Sequence, residues 1–137
     1  MKGNVFLVEW DSTSAARHAT TLRRQGFRVE VESENGGRAY RAIRTSVPDV
    51  VVLDLRNRPS HGREVGGALR ELKATRSVPI LCIEDGIEAQ EATRVKIPDA
   101  LFTSERDLVS MLDDVARERA RISAGPPSSK RKRAAEL

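Results

Sequence analysis

Five apolar segments recur along the chain, and a segment with helical spacing follows each of them. Residues 4–8, 48–55 and 78–83 are nearly continuous aliphatic runs, which is typical of strands that are buried on both faces. Residues 27–31 alternate apolar and charged side chains, which predicts a strand with one exposed face. The run at residues 100–102 is short. The alternating and the short strand therefore belong at the edges of a sheet.

The intervening segments carry apolar residues three and four positions apart, which predicts amphipathic helices. They lie at residues 12–25, around 39–43, and at 63–73, 87–95 and 105–122, with a polar loop predicted at 56–62. Asp11 or Ser12 is expected to cap the first helix and Ser104 the last. Gly66 and Gly67 weaken the third helix, and close packing on the sheet is a reason for them. Five strand–helix alternations predict an α/β fold, the flavodoxin-like (βα)5 three-layer sandwich with parallel strand order 2-1-3-4-5.

Residues 1–122 are predicted to form one domain, and residues 123–137 a disordered tail. The tail contains Lys130 to Arg133 against the single acid Glu136, so it holds a net +3 of the chain's +4. The remainder of the chain is close to neutral, which gives no electrostatic case for binding nucleic acid. For the tail itself, a solvated segment is favoured over a nucleic-acid contact.

The sequence contains no apolar run near the roughly 20 residues that span a bilayer, and no signal-peptide region, so we expect a cytoplasmic protein. Cys82 is the only cysteine, which excludes an internal disulfide, and its apolar neighbours predict a buried thiol. No phosphate-binding glycine loop, activated nucleophile or paired Cys/His motif occurs, so no enzymatic activity is predicted. His18 and His61 lack metal-ligand spacing and are expected to be solvated.

Ligands of open parallel sheets bind beyond the carboxyl ends of the strands, at the switch point between the first and third strands. Glu9, Trp10, Asp11 and Asp54 follow those two strands in the sequence. We therefore expect these four residues to meet in one pocket.

These motifs together resemble the receiver domain of two-component response regulators over residues 4–119. The segments that carry the resemblance are Leu-Val-Glu-Trp-Asp at 7–11, Pro-Asp-Val-Val-Val-Leu-Asp-Leu at 48–55, Gly62, Val-Pro-Ile-Leu at 78–81 and Asp-Ala-Leu-Phe-Thr-Ser at 99–104. The resemblance implies that Asp54 occupies the place of the aspartate that accepts a phosphoryl group from a histidine kinase. It also implies that Glu9 occupies the first place of the acidic pair that holds Mg²⁺.

Three of the five working positions of that family are changed. Trp10 stands where the family has a metal-binding aspartate, Glu84 where it has a threonine or serine, and Thr103 where it has a lysine. Glu84 is expected near Asp54, where it would repel a phosphoryl dianion and raise the pKa of one carboxyl. Trp10 is expected to fill the vacated pocket, and Asp11 is assigned to helix capping in preference to metal binding. No cofactor is expected. Mg²⁺ is expected at Glu9 and Asp54 only if the pocket is functional.

We therefore expect a stand-alone pseudo-receiver that acts by binding a protein, either a kinase or a downstream signalling protein, without phosphorylation. By analogy with the family, its docking surface would include Val95, Leu101, Arg106 and Ser110, and this surface would also suit a homodimer. The alternative is a working phosphoacceptor in a His-to-Asp relay, with Asp54 phosphorylated and Glu9 plus Asp11 binding Mg²⁺. Nucleic-acid binding through the basic tail is the third and least favoured hypothesis.

Overall fold

A computed structural model describes residues 1–124, in which strands and helices alternate along the chain. The elements are β1 (Gly3–Val8), α1 (Ser12–Arg24), β2 (Phe27–Glu32), α2 (Gly36–Thr45), β3 (Val50–Asp54), α3 (Pro59–Glu71), β4 (Ile80–Ile83), α4 (Ile87–Lys96), β5 (Leu101–Thr103) and α5 (Leu108–Ala124). All neighbouring strands pair in parallel, in the order β2-β1-β3-β4-β5. The predicted fold class and strand order are confirmed.

Side chains along each central strand alternate between two separate hydrophobic cores, because successive residues of a strand point to opposite faces of the sheet. On the face covered by α1 and α5, here called the α1/α5 face, lie Val5, Leu7, Val50, Val52, Leu81 and Ile83. On the opposite face, called the α2/α3 face, lie Phe6, Val8, Val51, Leu53, Ile80 and Cys82. Coverage of both faces explains why β1, β3 and β4 are almost wholly apolar.

The two edge strands follow the predicted pattern. In β2, Phe27 and Val29 are buried on the α1/α5 face, whereas Arg28 and Glu30 are exposed. Val31, which the alternation predicted on the buried face, is 37% exposed at the end of the strand. In β5, Leu101 is exposed at the end of the sheet. The alternation of β2 and the shortness of β5 were therefore sufficient to place both strands.

Helices α3 and α5 differ from the prediction at their boundaries. Helix α3 begins at Pro59, so most of the predicted loop at 56–62 is helical, because proline suits the first turn of a helix. Helix α5 begins at Leu108, after a turn in which the Ser104 hydroxyl accepts a hydrogen bond from the Asp107 backbone N–H at 3.2 Å. The same helix includes Ser123 and Ala124, which were assigned to the tail, and the remainder of the predicted tail lies outside the described residues.

Gly66 confirms the close packing expected of α3, whereas Gly67 does not. A Cβ at Gly66 would overlap the side chain of Ile97 and lie 3.2 Å from Leu53 Cδ1, whereas one at Gly67 would meet no atom nearer than 3.6 Å. Gly66 therefore permits the approach of α3 to the α2/α3 face. A Cβ at Gly67 would make only ordinary van der Waals contacts.

Cys82 is buried in β4 as predicted, and burial raises the pKa of its thiol to about 12. Among residues 1–124, no helix is long and apolar enough to cross a membrane.

Candidate functional site

Strands β1 and β3 end side by side, with Val8 paired to Leu53, and an acidic residue lies at the end of each. Glu9 and Asp54 are directed to the α1/α5 face, as Leu7 and Val52 are two positions earlier, and both are buried. One ligand-type atom from each of Glu9, Asp54 and His18 lies within 4.8 Å of the others. The expected meeting of Glu9 with Asp54 is therefore found, with a histidine added.

Arg56 holds both carboxylate oxygens of Asp54. Its Nε donates to Oδ1 at 2.9 Å, its Nη2 to Oδ2 at 2.6 Å, and its backbone N–H to Oδ1 at 3.1 Å. Burial alone would raise the pKa of Asp54, but the hydrogen bonds and positive charge of Arg56 outweigh it and hold this pKa below its usual value. Arg56 is absent from the residues singled out by sequence. The signal for it is a cation two positions after an acid at a strand end.

His18 is buried between two carboxylates, so the prediction of a solvated histidine was wrong. Its Nδ1 lies 2.7 Å from Oε2 of Glu9, and its Nε2 lies 2.7 Å from Oε2 of Glu105. The hydrogen bond to Glu9 raises the pKa of His18, burial opposes this, and Glu105 adds to the increase, so the imidazolium form is favoured. The sequence signal was helical spacing, since His18 lies on the same face of α1 as Ala15, Ala19 and Leu22.

Glu105, in the turn before α5, joins the histidine to the arginine. Its Oε2 accepts from Arg56 Nη2 at 2.9 Å and, at the rim, from Arg17 Nη2 at 3.4 Å. The hydrogen bond from Arg56, followed by that from His18, lowers the pKa of Glu105. We call Glu9, His18, Asp54, Arg56 and Glu105 the acid cluster. Its three carboxylates face the guanidinium of Arg56 and the imidazolium of His18, so most of their charge is compensated by the protein itself.

The acid cluster lies beside an open cleft of about 300 Å³, lined by Glu9, Asp11, Ser14, Arg17, Asp54, Arg56, Asn57 and Glu105. Asp11 caps α1, since its Oδ1 accepts from the backbone N–H groups of Thr13 and Ser14 at 3.1 and 3.3 Å. The predicted capping role of Asp11 is confirmed, and it leaves this carboxylate engaged with the helix.

Trp10 does not fill this cleft, which corrects the prediction. The alternation of β1 directs it to the α2/α3 face, where it packs beside Gly36 and meets the exposed ring of His61 edge-on, with 6.1 Å between ring centroids. Its indole Nε1 is buried without a hydrogen-bond partner among the described residues. Trp10 is therefore a packing residue of the opposite core.

Glu84 also lies on the α2/α3 face, so it does not oppose Asp54 as predicted. Its Oε1 accepts from Thr93 Oγ1 at 2.5 Å and its Oε2 from Arg63 Nη2 at 3.1 Å. The expected increase in a carboxyl pKa at the pocket is not found for Asp54, whose pKa is lowered. The physical reason is again strand alternation, because Glu84 continues the direction of Cys82.

Thr103 provides no cation, and its hydroxyl donates to the backbone carbonyl of Ser104 at 2.9 Å. The positive charge next to Asp54 comes instead from Arg56, on the β3–α3 connection.

The side chains in this arrangement do not fit Mg²⁺. This ion requires near-octahedral oxygen ligands. Both oxygens of Asp54 are bound by Arg56, Oε2 of Glu9 is bound by His18, and Oδ1 of Asp11 accepts from the helix terminus. A guanidinium beside Asp54 also repels a second cation. A metal at Glu9 and Asp54 would require Arg56 and His18 to move away.

The four residues of the predicted docking surface are all exposed: Val95 on α4, Leu101 on β5, Arg106 in the following turn and Ser110 on α5. They lie on the side of the fold formed by the last two strand–helix units. Their role in binding remains a prediction.

No protein-family model and no curated protein sequence matches this chain. Solved structures do match. A candidate response regulator from Chloroflexus aurantiacus is 21% identical, with a TM-score of 0.73 over 84% of this chain and 98% of that one. The chemotaxis protein CheY4 of Vibrio cholerae is 20% identical, with a TM-score of 0.71 over 82% and 97% of the two chains. The non-phosphorylated HemR receiver domain of Leptospira biflexa is 21% identical, with a TM-score of 0.67 over 82% and 93%. The resemblance inferred from the sequence is thus confirmed for the architecture, and the chain has the fold of response-regulator receiver domains.

Proposed function

We propose that the chain is a receiver-type signalling module that acts by binding another protein and does not depend on phosphorylation of Asp54. The fold supports a role in signalling, since the similar structures are response regulators and receiver domains. The observation that carries the proposal is the bidentate contact of Arg56 with Asp54. This contact engages both oxygens with which the carboxylate would attack a phosphoryl group.

The electrostatics of the cleft support the same proposal. A phosphoryl donor brings negative charge, and its transfer needs cations that face the transferred oxygens. Here the guanidinium of Arg56 is shared between Asp54 and Glu105, and His18 is shared between Glu9 and Glu105. Because these cations are already paired, an incoming phosphoryl group would face carboxylates without adequate compensation.

The proposed docking surface is the exposed face formed by Val95, Leu101, Arg106 and Ser110. Val95 is 80% exposed, and Leu101 lies on the edge strand, so both apolar side chains are open to a partner. Arg106 adds a cation at the same side, and its only ion-pair contact among the described residues is a long one of 3.9 Å to Asp107. A kinase or a downstream signalling protein is the proposed partner, and a homodimer would use the same face.

A working phosphoacceptor is the second candidate. It is favoured by the closeness of Glu9 and Asp54 at the ends of β1 and β3. The side chain of Arg56 is 36% exposed, so it has room to turn towards solvent and release Asp54.

Amide chemical shifts separate the two candidates. Isotope-labelled protein is titrated with millimolar Mg²⁺ and then with beryllofluoride, with Asp54→Asn as the control for non-specific binding. The proposal predicts that wild type and Asp54→Asn respond alike. Wild-type shifts centred on Glu9, Asp54 and Arg56 that are absent from Asp54→Asn would establish the phosphoacceptor and overturn the proposal.

The binding half of the proposal is tested by comparing variants in one capture experiment from the native host. Val95→Glu places a charge on the docking surface and is expected to lose the partner. Arg41→Glu, an exposed change on α2, and Asp54→Asn are expected to retain it. A partner that binds Val95→Glu fully but not Asp54→Asn would contradict both parts.

A further inference from the structure

Helix α4 lacks the apolar stripe with which a helix normally docks on a sheet. Its one fully buried residue is Thr93, whereas Ile87 and Val95 are 75% and 80% exposed. A surface helix usually buries several apolar side chains on one face. The attachment of α4 to the fold must therefore depend on something other than hydrophobic burial.

Polar contacts supply that attachment, and we call Arg63, Glu84 and Thr93 the α4 clamp. Glu84, at the end of β4, accepts from Thr93 Oγ1 at 2.5 Å and from Arg63 Nη2 at 3.1 Å. Arg63, on α3, closes the triangle by donating from Nε to Thr93 Oγ1 at 2.9 Å. Every member thus contacts the other two, and the three belong to the position after β4, to α3 and to α4.

Two further hydrogen bonds connect the first turn of α4 to the same cluster. Arg63 Nη2 donates to the backbone carbonyl of Ala89 at 3.2 Å, and Gln90 Nε2 donates to the backbone carbonyl of Glu84 at 2.9 Å. The side chain of Glu84 is only 4% exposed, so its carboxylate depends on the hydrogen bonds from Thr93 Oγ1 and Arg63 Nη2. A buried carboxylate that loses its cation carries a large desolvation penalty.

The α4 clamp lies on the opposite face of the sheet from the acid cluster. Asp54 is directed to the α1/α5 face, whereas Glu84 follows Cys82 onto the α2/α3 face. Within residues 1–124, no side-chain hydrogen bond or ion pair joins a member of the clamp to a member of the acid cluster. A change at Asp54 therefore has no direct polar route to α4.

We propose that the α4 clamp fixes the position of α4 and does so independently of the acid cluster. The clamp would then hold Val95 in the same position whatever occupies the cleft at Asp54. Only this consequence for docking rests on the proposed function. The docking surface is then permanently formed. It is not switched by the pocket.

Hydrogen exchange of individual amides tests the proposal on the full chain. Arg63→Gln removes the cation, and Thr93→Val removes the hydroxyl with little change of shape. Both are expected to accelerate exchange across α4 by about 10- to 100-fold, the size of effect expected when a hydrogen bond to a charged group is lost. The readout is the set of α4 amides that exchange by local opening, because amides of β1 and β3 that exchange only by global unfolding also report the loss of overall stability.

Two control variants make the result specific. Glu91→Gln changes an exposed residue of α4 that makes no side-chain hydrogen bond or ion pair among the described residues, and it should leave exchange unchanged. Arg56→Gln disturbs the acid cluster and should leave α4 at its wild-type rate.

Two results would overturn the proposal. These are unchanged α4 exchange in both Arg63→Gln and Thr93→Val, or acceleration of α4 by Arg56→Gln. Failure of the proposed function would appear elsewhere, as a beryllofluoride response in the wild-type cleft. The two failures are therefore distinguishable.

Discussion

Replacing Arg56 by glutamine tests whether its guanidinium is what keeps Asp54 charged inside the protein. Two opposite charges about 4 Å apart attract by about 4 kcal/mol at an effective dielectric constant of about 20. The side chain of Asp54 is 4% exposed but that of Arg56 is 36% exposed, so solvent screening reduces this figure. We expect Arg56→Gln to lower the free energy of unfolding by about 1.5–3 kcal/mol at pH 7.

The loss should depend on pH in a defined direction. The pKa of Asp54 is lowered in the folded protein, so the contribution of the ion pair is fully present above the ordinary pKa of 3.8 and disappears as the pH falls through the folded value. In Arg56→Gln, burial is opposed only by the backbone N–H of residue 56 and by Glu9, so the pKa of Asp54 should rise. The difference between wild type and variant should therefore shrink as the pH is lowered from 7 towards 3.

Urea unfolding followed by circular dichroism and by the fluorescence of Trp10, the single tryptophan, measures both effects. The matched control is the same substitution in an Asp54→Asn background, where Arg56→Gln should cost less than about 0.5 kcal/mol because no buried charge is left unpaired. A loss below about 0.5 kcal/mol at pH 7 in the wild-type background would refute the reasoning. So would an equal loss in both backgrounds, or one that does not change with pH.

Three further outcomes are expected. His18→Gln should destabilise most below pH 6.5 and progressively less as the pH rises through the raised folded pKa of His18, as measured by unfolding from pH 5 to 9. Gly66→Ala should lower the free energy of unfolding by about 1–3 kcal/mol because its Cβ overlaps Ile97, whereas Gly67→Ala should raise it by up to about 1 kcal/mol. Melting temperatures measure both effects, and equal shifts in the two variants would contradict the prediction. Asp11→Ala should cost about 1 kcal/mol through loss of the cap, and an unchanged stability would show that the cap is dispensable.

The fold could be predicted from the sequence because its main signals are repeated along the chain. Continuous aliphatic runs placed β1, β3 and β4 in the centre, and the alternation of β2 placed it at an edge. Helix boundaries were less well determined. Pro59 was interpreted as part of a loop, although proline is equally suited to the first turn of a helix, and the choice between them depends on packing that the local sequence does not encode.

The site was predicted correctly where strand positions determined it, and incorrectly where side-chain direction mattered. Glu9 and Asp54 meet because β1 and β3 are neighbours. Trp10 and Glu84 were assigned to the same pocket by position along the family motif, although the two-residue period of their strands sends both to the other face. That period could have been applied from the sequence alone.

The side-chain directions of Arg56 and Glu105 could not be predicted from strand or helix periodicity. Both are located in connections outside the regular elements, and both have long, flexible side chains whose direction no periodicity specifies. Their contact across the cleft depends on the three-dimensional approach of the β3–α3 and β5–α5 connections. The link that Glu105 makes between His18 and Arg56 could therefore be recognised only in the structure.

The separation of the acid cluster from the α4 clamp by the sheet has a consequence for how such sequences diverge. Residues that compensate one another's charge cannot change singly without leaving a buried charge unpaired, so each set constrains its own members. No side-chain hydrogen bond or ion pair of the described residues joins the two sets, so neither set constrains the other through its charges. Among related sequences, substitutions are expected to covary within the acid cluster and within the α4 clamp, and to be statistically independent between them.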